Sequence, residues 1–175
     1  MALTFTLEPP LTPALRDGLL DLWTDVVNAG GAVGFVPPVR REEIRPELVR
    51  HLVQMAEGRT RLLVGQDAHG TPVAAAFLTS NPQHLNAHWL SLYSVMVHPR
   101  HQGEGHGRDL LAAAEDAARA TDGIEAIRLS CRGGQGLERF YACCGYKEVG
   151  RVPGAVRVAP DDDRDEIFML LSLGR

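Results

Sequence analysis

The residues with the clearest chemical potential lie around three glycines at alternate positions, Gly103, Gly105 and Gly107. An apolar run, Val95 to Val97, precedes them and is broken at Pro99, and a helical pattern follows them. Glycine lets a backbone approach a ligand closely and adopt positive φ, and a helix start presents unpaired N–H groups and the positive end of its dipole. The order strand, glycine loop, helix therefore predicts an anion site, with phosphate as the expected ligand.

Three glycine-rich phosphate motifs compete for this stretch. A Walker loop requires Lys-Ser or Lys-Thr after its last glycine, and neither pair occurs in the chain. A dinucleotide-binding fingerprint requires a glycine where Arg108 stands, and it follows an early strand rather than lying past the middle of the chain. The spacing that remains is Gln102-x-x-Gly105-x-Gly107 after the extended run.

Composition narrows the class of protein. A length of 175 residues suits one domain, and we expect residues 1–175 to form it. The net charge of −4, without a basic tract, argues against nucleic acid or an anionic membrane as a partner. The apolar stretches are too short to span a bilayer, and the first residues lack a signal-peptide pattern. Three cysteines without an evident pairing agree with a cytoplasmic protein.

Periodicity and turn residues predict eleven elements in the order β, α, α, β, β, β, α, β, α, β, β, which is an α+β plan with a mixed sheet. Thr12 and Pro13 predict the start of the first helix, as N-cap and first helical residue. A loop rich in Pro and Asp is predicted between the last two strands, which we place at 146–152 and 165–173. Residues 28–38 form a Gly- and Pro-rich loop that carries apolar side chains, so it either covers a functional site or is pinned to the core.

The strand, proline, loop and helix around Gln102-x-x-Gly105-x-Gly107 resemble the acetyl-CoA signature of the GCN5-related N-acetyltransferase (GNAT) superfamily. A second similarity is the pair Phe140-Tyr141 ahead of a Gly-aromatic turn. The order of elements is similar to the GNAT fold along essentially the whole chain, which implies a central mixed, mostly antiparallel sheet flanked by helices. Short strings such as Gly30-Gly-Ala-Val-Gly-Phe35 look like the tabtoxin-resistance-type branch.

The resemblance implies an N-acetyltransferase that moves an acetyl group from acetyl-CoA directly to the amine of a small molecule, such as an amino acid, a toxin or an antibiotic. Two alternatives stay open: a non-catalytic acyl-CoA-binding sensor, and an acetyltransferase for protein lysines or N-termini. A nucleotide-binding module of another fold is disfavoured by the incomplete motifs. Titration with acetyl-CoA, ATP and NAD separates these binding classes. A homodimer is a further expectation.

Donor binding is assigned by the resemblance. The pyrophosphate is expected on the backbone N–H groups of the glycine loop, with Arg108 offsetting its charge, and the pantetheine arm is expected to pair with the preceding strand through main-chain bonds. The expected donor-binding residues are Val95, Met96, Val97, Gln102, Gly103, Glu104, Gly105, His106, Gly107 and Arg108.

Tyr141 matches the position of the family's usual general acid and is expected to protonate, or hydrogen-bond, the departing thiolate. A covalent cysteine route needs an activated thiolate, and Cys131 beside Arg132 is the only weak candidate, so we expect direct transfer. The general base is less well defined, because the strand at 88–97 has no carboxylate.

The polar candidates on that strand for deprotonating the acceptor, directly or through a water, are His88, Ser91, Tyr93 and Ser94, and histidine is the only one of these residue types that ordinarily titrates near neutral pH. His88 and Ser91 lie on the strand before the glycine loop, and Ser130 lies on the following strand, where it could bind a relay water. The histidines His98, His101 and His106 straddle a turn and the loop rather than sharing one helical face. Because thioester chemistry needs no metal, we predict no metal site there.

Overall fold

The computed structural model describes residues 2–174 and contains one seven-stranded sheet with helices on both faces. In chain order the elements are β1 (Thr4–Leu7), α1 (Pro13–Asn28), α2 (Arg41–Ala56), β2 (Thr60–Gln66), β3 (Pro72–Ser80), β4 (Trp89–Val97), α3 (His106–Arg119), β5 (Ala126–Arg132), α4 (Leu137–Cys143), β6 (Lys147–Ala159) and β7 (Asp162–Ser172). The predicted order of elements and the α+β class are confirmed.

The strands lie in the order β1-β2-β3-β4-β5-β7-β6. All neighbouring pairs are antiparallel except β4 and β5, which are parallel. The parallel pairing joins only three residues on each strand, Trp89–Ser91 with Ala126–Arg128. The mixed, mostly antiparallel sheet predicted by the resemblance is therefore present, and its one parallel pair is unusually short.

Two apolar cores cover the faces of the sheet, because successive side chains of a strand point to opposite sides. On β3, Ala74, Ala76 and Leu78 pack with the buried face of α3, whereas Ala75 and Phe77 pack with α1 and α2. The sheet is thus sandwiched between α1 and α2 on one face and α3 and α4 on the other.

The signals for the start of α1 are confirmed. The Thr12 hydroxyl accepts a hydrogen bond of 3.1 Å from the N–H of Leu15, and Pro13 occupies the first helical position, where its missing N–H costs no intrahelical bond. None of the helices within residues 2–174 is long and apolar enough to cross a membrane.

The prediction of a Pro- and Asp-rich loop between the last two strands was wrong. β6 extends to Ala159 and β7 begins at Asp162, so most of this segment is a long hairpin. Pro153 is tolerated because β6 is an edge strand, and the register shift between Val152 and Val156 absorbs it as a bulge. An ion pair between Arg157 and Asp163 joins the two strands across the hairpin.

Candidate active site

A cleft of about 560 Å³ opens where β4 and β5 stop pairing. Ser94 has a φ of +49°, which is rare for a residue other than glycine, and it lies where the β3–β4 register shifts. Beyond this bulge the two strands line opposite walls of the cleft, with Val95 and Val97 on β4 and Ser130 and Cys131 on β5. The gap in the sheet is therefore produced by the backbone conformation at the bulge.

The backbone of β4 offers hydrogen-bonding groups to this gap. The N–H of His98 bonds to the carbonyl of Val73, on the β3 side, at 2.8 Å. Because N–H groups alternate along a strand, those of Val95 and Val97 point the other way, into the gap. The side chain of Met96 points to the face of the sheet that α1 covers, where it is buried in the core. An extended ligand with amide groups can pair here like an added strand.

The loop from β4 to α3 has the geometry of an anion site. Gly103 and Gly105 have φ values of +81° and +91°, and a Cβ built on either would meet no atom within 4 Å. The first backbone hydrogen bonds of α3 run from the N–H groups of Arg108 and Asp109 to the carbonyl of Gly105. The N–H groups of the residues just before Arg108 therefore lie at the N-terminal end of the helix, where they are available to an anion. The Gln102 side chain donates to the carbonyl of Val97 at 3.0 Å and holds the loop against the strand end.

The third glycine, Gly107, is required by the packing of two helices rather than by the conformation of the loop. A Cβ on Gly107 would lie 3.0 Å from a ring carbon of Phe140, so glycine lets the start of α3 pack directly on α4. Tyr141 follows on α4 and lines the cleft. The anion loop and the tyrosine are therefore positioned by one packing contact.

Tyr141 is suited to donate a proton or a hydrogen bond. It is 7% exposed, and burial raises its pKa, so the phenol stays protonated across the physiological range. No hydrogen bond joins its hydroxyl to another residue of the segment 2–174. Burial, reinforced by the nearby carboxylates of Glu138 and Glu148, raises the pKa of Cys131 to about 11. Its thiol is therefore protonated and unsuited to a covalent route.

The structure separates the predicted candidates for the base. Ser130 lines the cleft together with Tyr141. Ser91 is buried, and its hydroxyl accepts a bond of 2.9 Å from Nε of Arg128. His88 precedes β4, with its ring 5.4 Å from that of Trp89, and neither it nor Ser91 is among the cleft-lining residues that the structure describes.

Sequence reasoning missed a pair on α2 that reaches the cleft. Glu47 and His51 both line it, and Nε2 of His51 lies 3.6 Å from Oε1 of Glu47. The His51 ring stacks on Phe77 at 4.0 Å, and burial lowers the pKa of His51, so its neutral form dominates at pH 7. The available signal was the i, i+4 spacing of a carboxylate and a histidine, with the histidine three residues after Leu48 on the apolar face.

The loop before α2 has both of the roles that its sequence left open. Residues 31–36 line the cleft. The loop is also pinned to the core, because Nε1 of Trp23 donates to the carbonyl of Val33 at 2.9 Å and the Phe35 ring meets Trp23 edge to face at 6.2 Å.

Comparison with known proteins agrees with this geometry. The model of the acetyltransferase (GNAT) family matches residues 35–146, which is more than half of the chain. The chain therefore belongs to the GNAT acetyltransferase family. It is an N-acetyltransferase with acetyl-CoA as its acetyl donor, as the resemblance implied.

Three solved structures share the fold. A phosphinothricin acetyltransferase from Sinorhizobium meliloti, in complex with acetyl-CoA, is 17% identical over 99% of this chain and 90% of its own, with a TM-score of 0.78. A GCN5-related N-acetyltransferase from Kribbella flavida is 24% identical over 96% and 97%, with a TM-score of 0.73. A ribosomal-protein-alanine N-acetyltransferase from Brucella melitensis is 22% identical over 95% and 99%, with a TM-score of 0.74.

The first prediction concerns the anion loop. Replacing Gly105 with valine should raise the Kd for acetyl-CoA about tenfold or more, because a β-branched residue resists a φ of +91° and its Cβ enters the space in front of the loop amides. Gly58→Val is the matched control, since Gly58 also has positive φ and open space but lies at the end of α2. Calorimetry with equal affinities for the two variants would contradict the assignment.

The second prediction concerns Tyr141. Tyr141→Phe should leave the Kd for acetyl-CoA unchanged and lower kcat about 10²-fold, because the hydroxyl acts when charge develops on sulfur. The defect should shrink at high pH, where the thiolate leaves without help. Tyr146→Phe is the control, since in the described residues that buried hydroxyl has no hydrogen-bond partner and Tyr146 is not part of the cleft lining. Parallel kcat profiles against pH, equal in height to wild type, would end this assignment.

Proposed function

We propose that residues 1–175 form a single catalytic domain that acetylates the amine of a small, amino-acid-like molecule. The observation that carries this proposal is the cleft itself, whose volume of about 560 Å³ lies in the range of small-molecule sites. Beyond the strand gap it is bounded by the loop at 31–36, by α2, and by Val156 and Arg157 of β6. These walls leave room for a compact acceptor beside the thioester.

The donor enters along the strand gap in this proposal. Backbone N–H groups between Gln102 and Arg108 bind the pyrophosphate, and the pantetheine amides pair with the main chain of Val95 and Val97. The support is the left-handed geometry of the loop and the direction of the two strand amides. The thioester then lies near the bulge at Ser94, between Tyr141 and the α2 pair.

Transfer is direct. The acceptor nitrogen attacks the thioester carbonyl, the carbon–sulfur bond breaks, and Tyr141 gives its proton to the departing sulfur. The ammonium proton of the acceptor goes to the Glu47–His51 pair, which supplies the carboxylate that β4 lacks. Ser130, on the facing wall, is placed to bind the acceptor or a water.

The arginines that line the cleft favour an acceptor with a negatively charged group. Arg50 pairs with Glu47, and Arg157 pairs with Asp163. Arg132 also lines the cleft, where its charged neighbours include Asp162, a carboxylate already paired with Arg164. Burial lowers the pKa of Arg132, and the adjacent Arg164 adds to this effect, without removing its charge, so Arg132 can pair with an acceptor carboxylate or phosphinate.

One of the structural neighbours supports a small acceptor. The neighbour from Sinorhizobium meliloti is named for phosphinothricin, in line with the tabtoxin-resistance-type strings of this chain. The neighbour from Brucella melitensis is named for a ribosomal protein, so a protein acceptor is the second candidate. A cytoplasmic location and a homodimer stay predictions. The surface that a homodimer could use is the edge strand β6, on which Val149 and Val152 are exposed.

The third prediction tests the base. Glu47→Gln should lower kcat/KM for a good acceptor about 10²-fold, because the amide cannot accept the acceptor's proton. Glu42→Gln, on the exposed first turn of the same helix, is the control. If the two variants have the same kcat/KM, the acceptor proton does not go to this pair.

The fourth prediction tests the acceptor class. In a screen that measures CoA thiol release, amino acids and their phosphinate analogues should be turned over in preference to neutral amines and to peptides. Arg132→Gln should raise KM for the anionic acceptors by about 10- to 100-fold, the value of a charge-assisted hydrogen bond, and leave neutral amines unaffected. Arg139→Gln, on the exposed side of α4, is the control. Preferred turnover of peptides, with no effect of Arg132→Gln, would favour the protein acceptor instead.

A further inference from the structure

Three side chains from the segment 101–106 come together in the loop between β4 and α3. One potential ligand atom from each of His101, Glu104 and His106 lies within 4.8 Å of the others. The sequence analysis considered His98, His101 and His106, which do not share one helical face, and predicted no metal site. The short 3-10 turn at Pro99–His101 and the left-handed glycines after it fold the loop back, so that His101 approaches the first residue of α3.

The nitrogens of the two histidines are unusual for a surface cluster. His106 is 4% exposed, and its Nε2 lies 3.2 Å from Oε2 of Glu104. Nδ1 of His101 is buried, has no hydrogen-bond partner among residues 2–174, and lies 3.7 Å from Oε1 of the same carboxylate. A buried imidazole nitrogen without a partner costs free energy unless something else occupies it. Both imidazoles are therefore directed at one point beside Glu104.

The second ring nitrogen of His106, Nδ1, faces a carboxylate, as the non-coordinating nitrogen of a metal-binding histidine commonly does. This Nδ1 is buried and accepts or donates no hydrogen bond within the described part of the chain, and Oδ2 of Asp109 lies 3.8 Å away. In metal sites the ligating histidine commonly directs its second ring nitrogen at a carboxylate, which fixes the ring and its tautomer. The two nitrogens of His106 thus face a ligand position and an orienting carboxylate.

We propose that His101, Glu104 and His106 bind a divalent transition-metal ion, with zinc as the best match. Two imidazole nitrogens and one carboxylate are a common zinc ligand set, and water completes the tetrahedron. Magnesium and calcium prefer oxygen ligands and should bind poorly. The ion would connect the turn before the anion loop to the helix after it. It has no part in the acetyl transfer, so the proposal does not depend on the acceptor.

The experiment titrates zinc chloride into the full chain, prepared without a histidine tag and without acetyl-CoA, by calorimetry. Wild type should bind one equivalent. His101→Ala and Glu104→Gln should each weaken binding about tenfold or more, the scale seen when a metal site loses a supporting group. His69→Ala, in the turn between β2 and β3, should bind as wild type does. Circular dichroism of each metal-free variant checks that the fold is unchanged.

Cobalt(II) provides a second readout that does not depend on heat. The cobalt-loaded protein should have a visible absorption spectrum that magnesium in excess does not change and that Glu104→Gln alters. The proposal is overturned if wild type shows no saturable binding of one equivalent, or if folded His101→Ala and Glu104→Gln bind zinc as tightly as His69→Ala does.

Discussion

The short parallel pairing of β4 with β5 is the constraint on which the rest of the structure depends. A sheet normally satisfies the N–H and C=O groups of its inner strands, but here the pairing stops after three residues and the bulge at Ser94 separates the strands. The amides of Val95 and Val97 are left for a ligand. Side chains of both strands pack in the apolar core under α3 and α4, which holds each strand in place on its side of the gap.

The proposed catalytic groups reach this gap from different layers of the fold. The anion loop continues from β4, and the contact of Gly107 with Phe140 connects the start of α3 to the helix that carries Tyr141. The Glu47–His51 pair comes from the opposite layer, where the stacking of His51 on Phe77 fixes the ring. In the proposed mechanism, Tyr141 and the Glu47–His51 pair therefore approach the thioester from opposite sides of the sheet, an arrangement that suits direct transfer between two bound substrates.

Local patterns were enough to predict the order of elements, the cap of α1 and the glycine loop, because each depends on residues close in sequence. The long hairpin of β6 and β7 was missed, since Pro153 reads as a break unless the strand is known to be an edge. The approach of His101 to His106 depends on the conformation of the loop between β4 and α3, which no periodicity of its residues encodes. The i, i+4 spacing on α2 indicates that Glu47 and His51 are neighbours, but their position beside the cleft depends on how distant segments fold together.

Hydrogen exchange at single amides of β4, measured by NMR with and without saturating acetyl-CoA, tests the central claim most directly. The account predicts that exchange at Val95 and Val97 slows by an order of magnitude or more, because their N–H groups gain partners in the gap. The amide of His98, already bonded to Val73, should change far less and serves as the internal control. Unchanged exchange at Val95 and Val97 in the saturated complex would contradict donor binding between the separated strands.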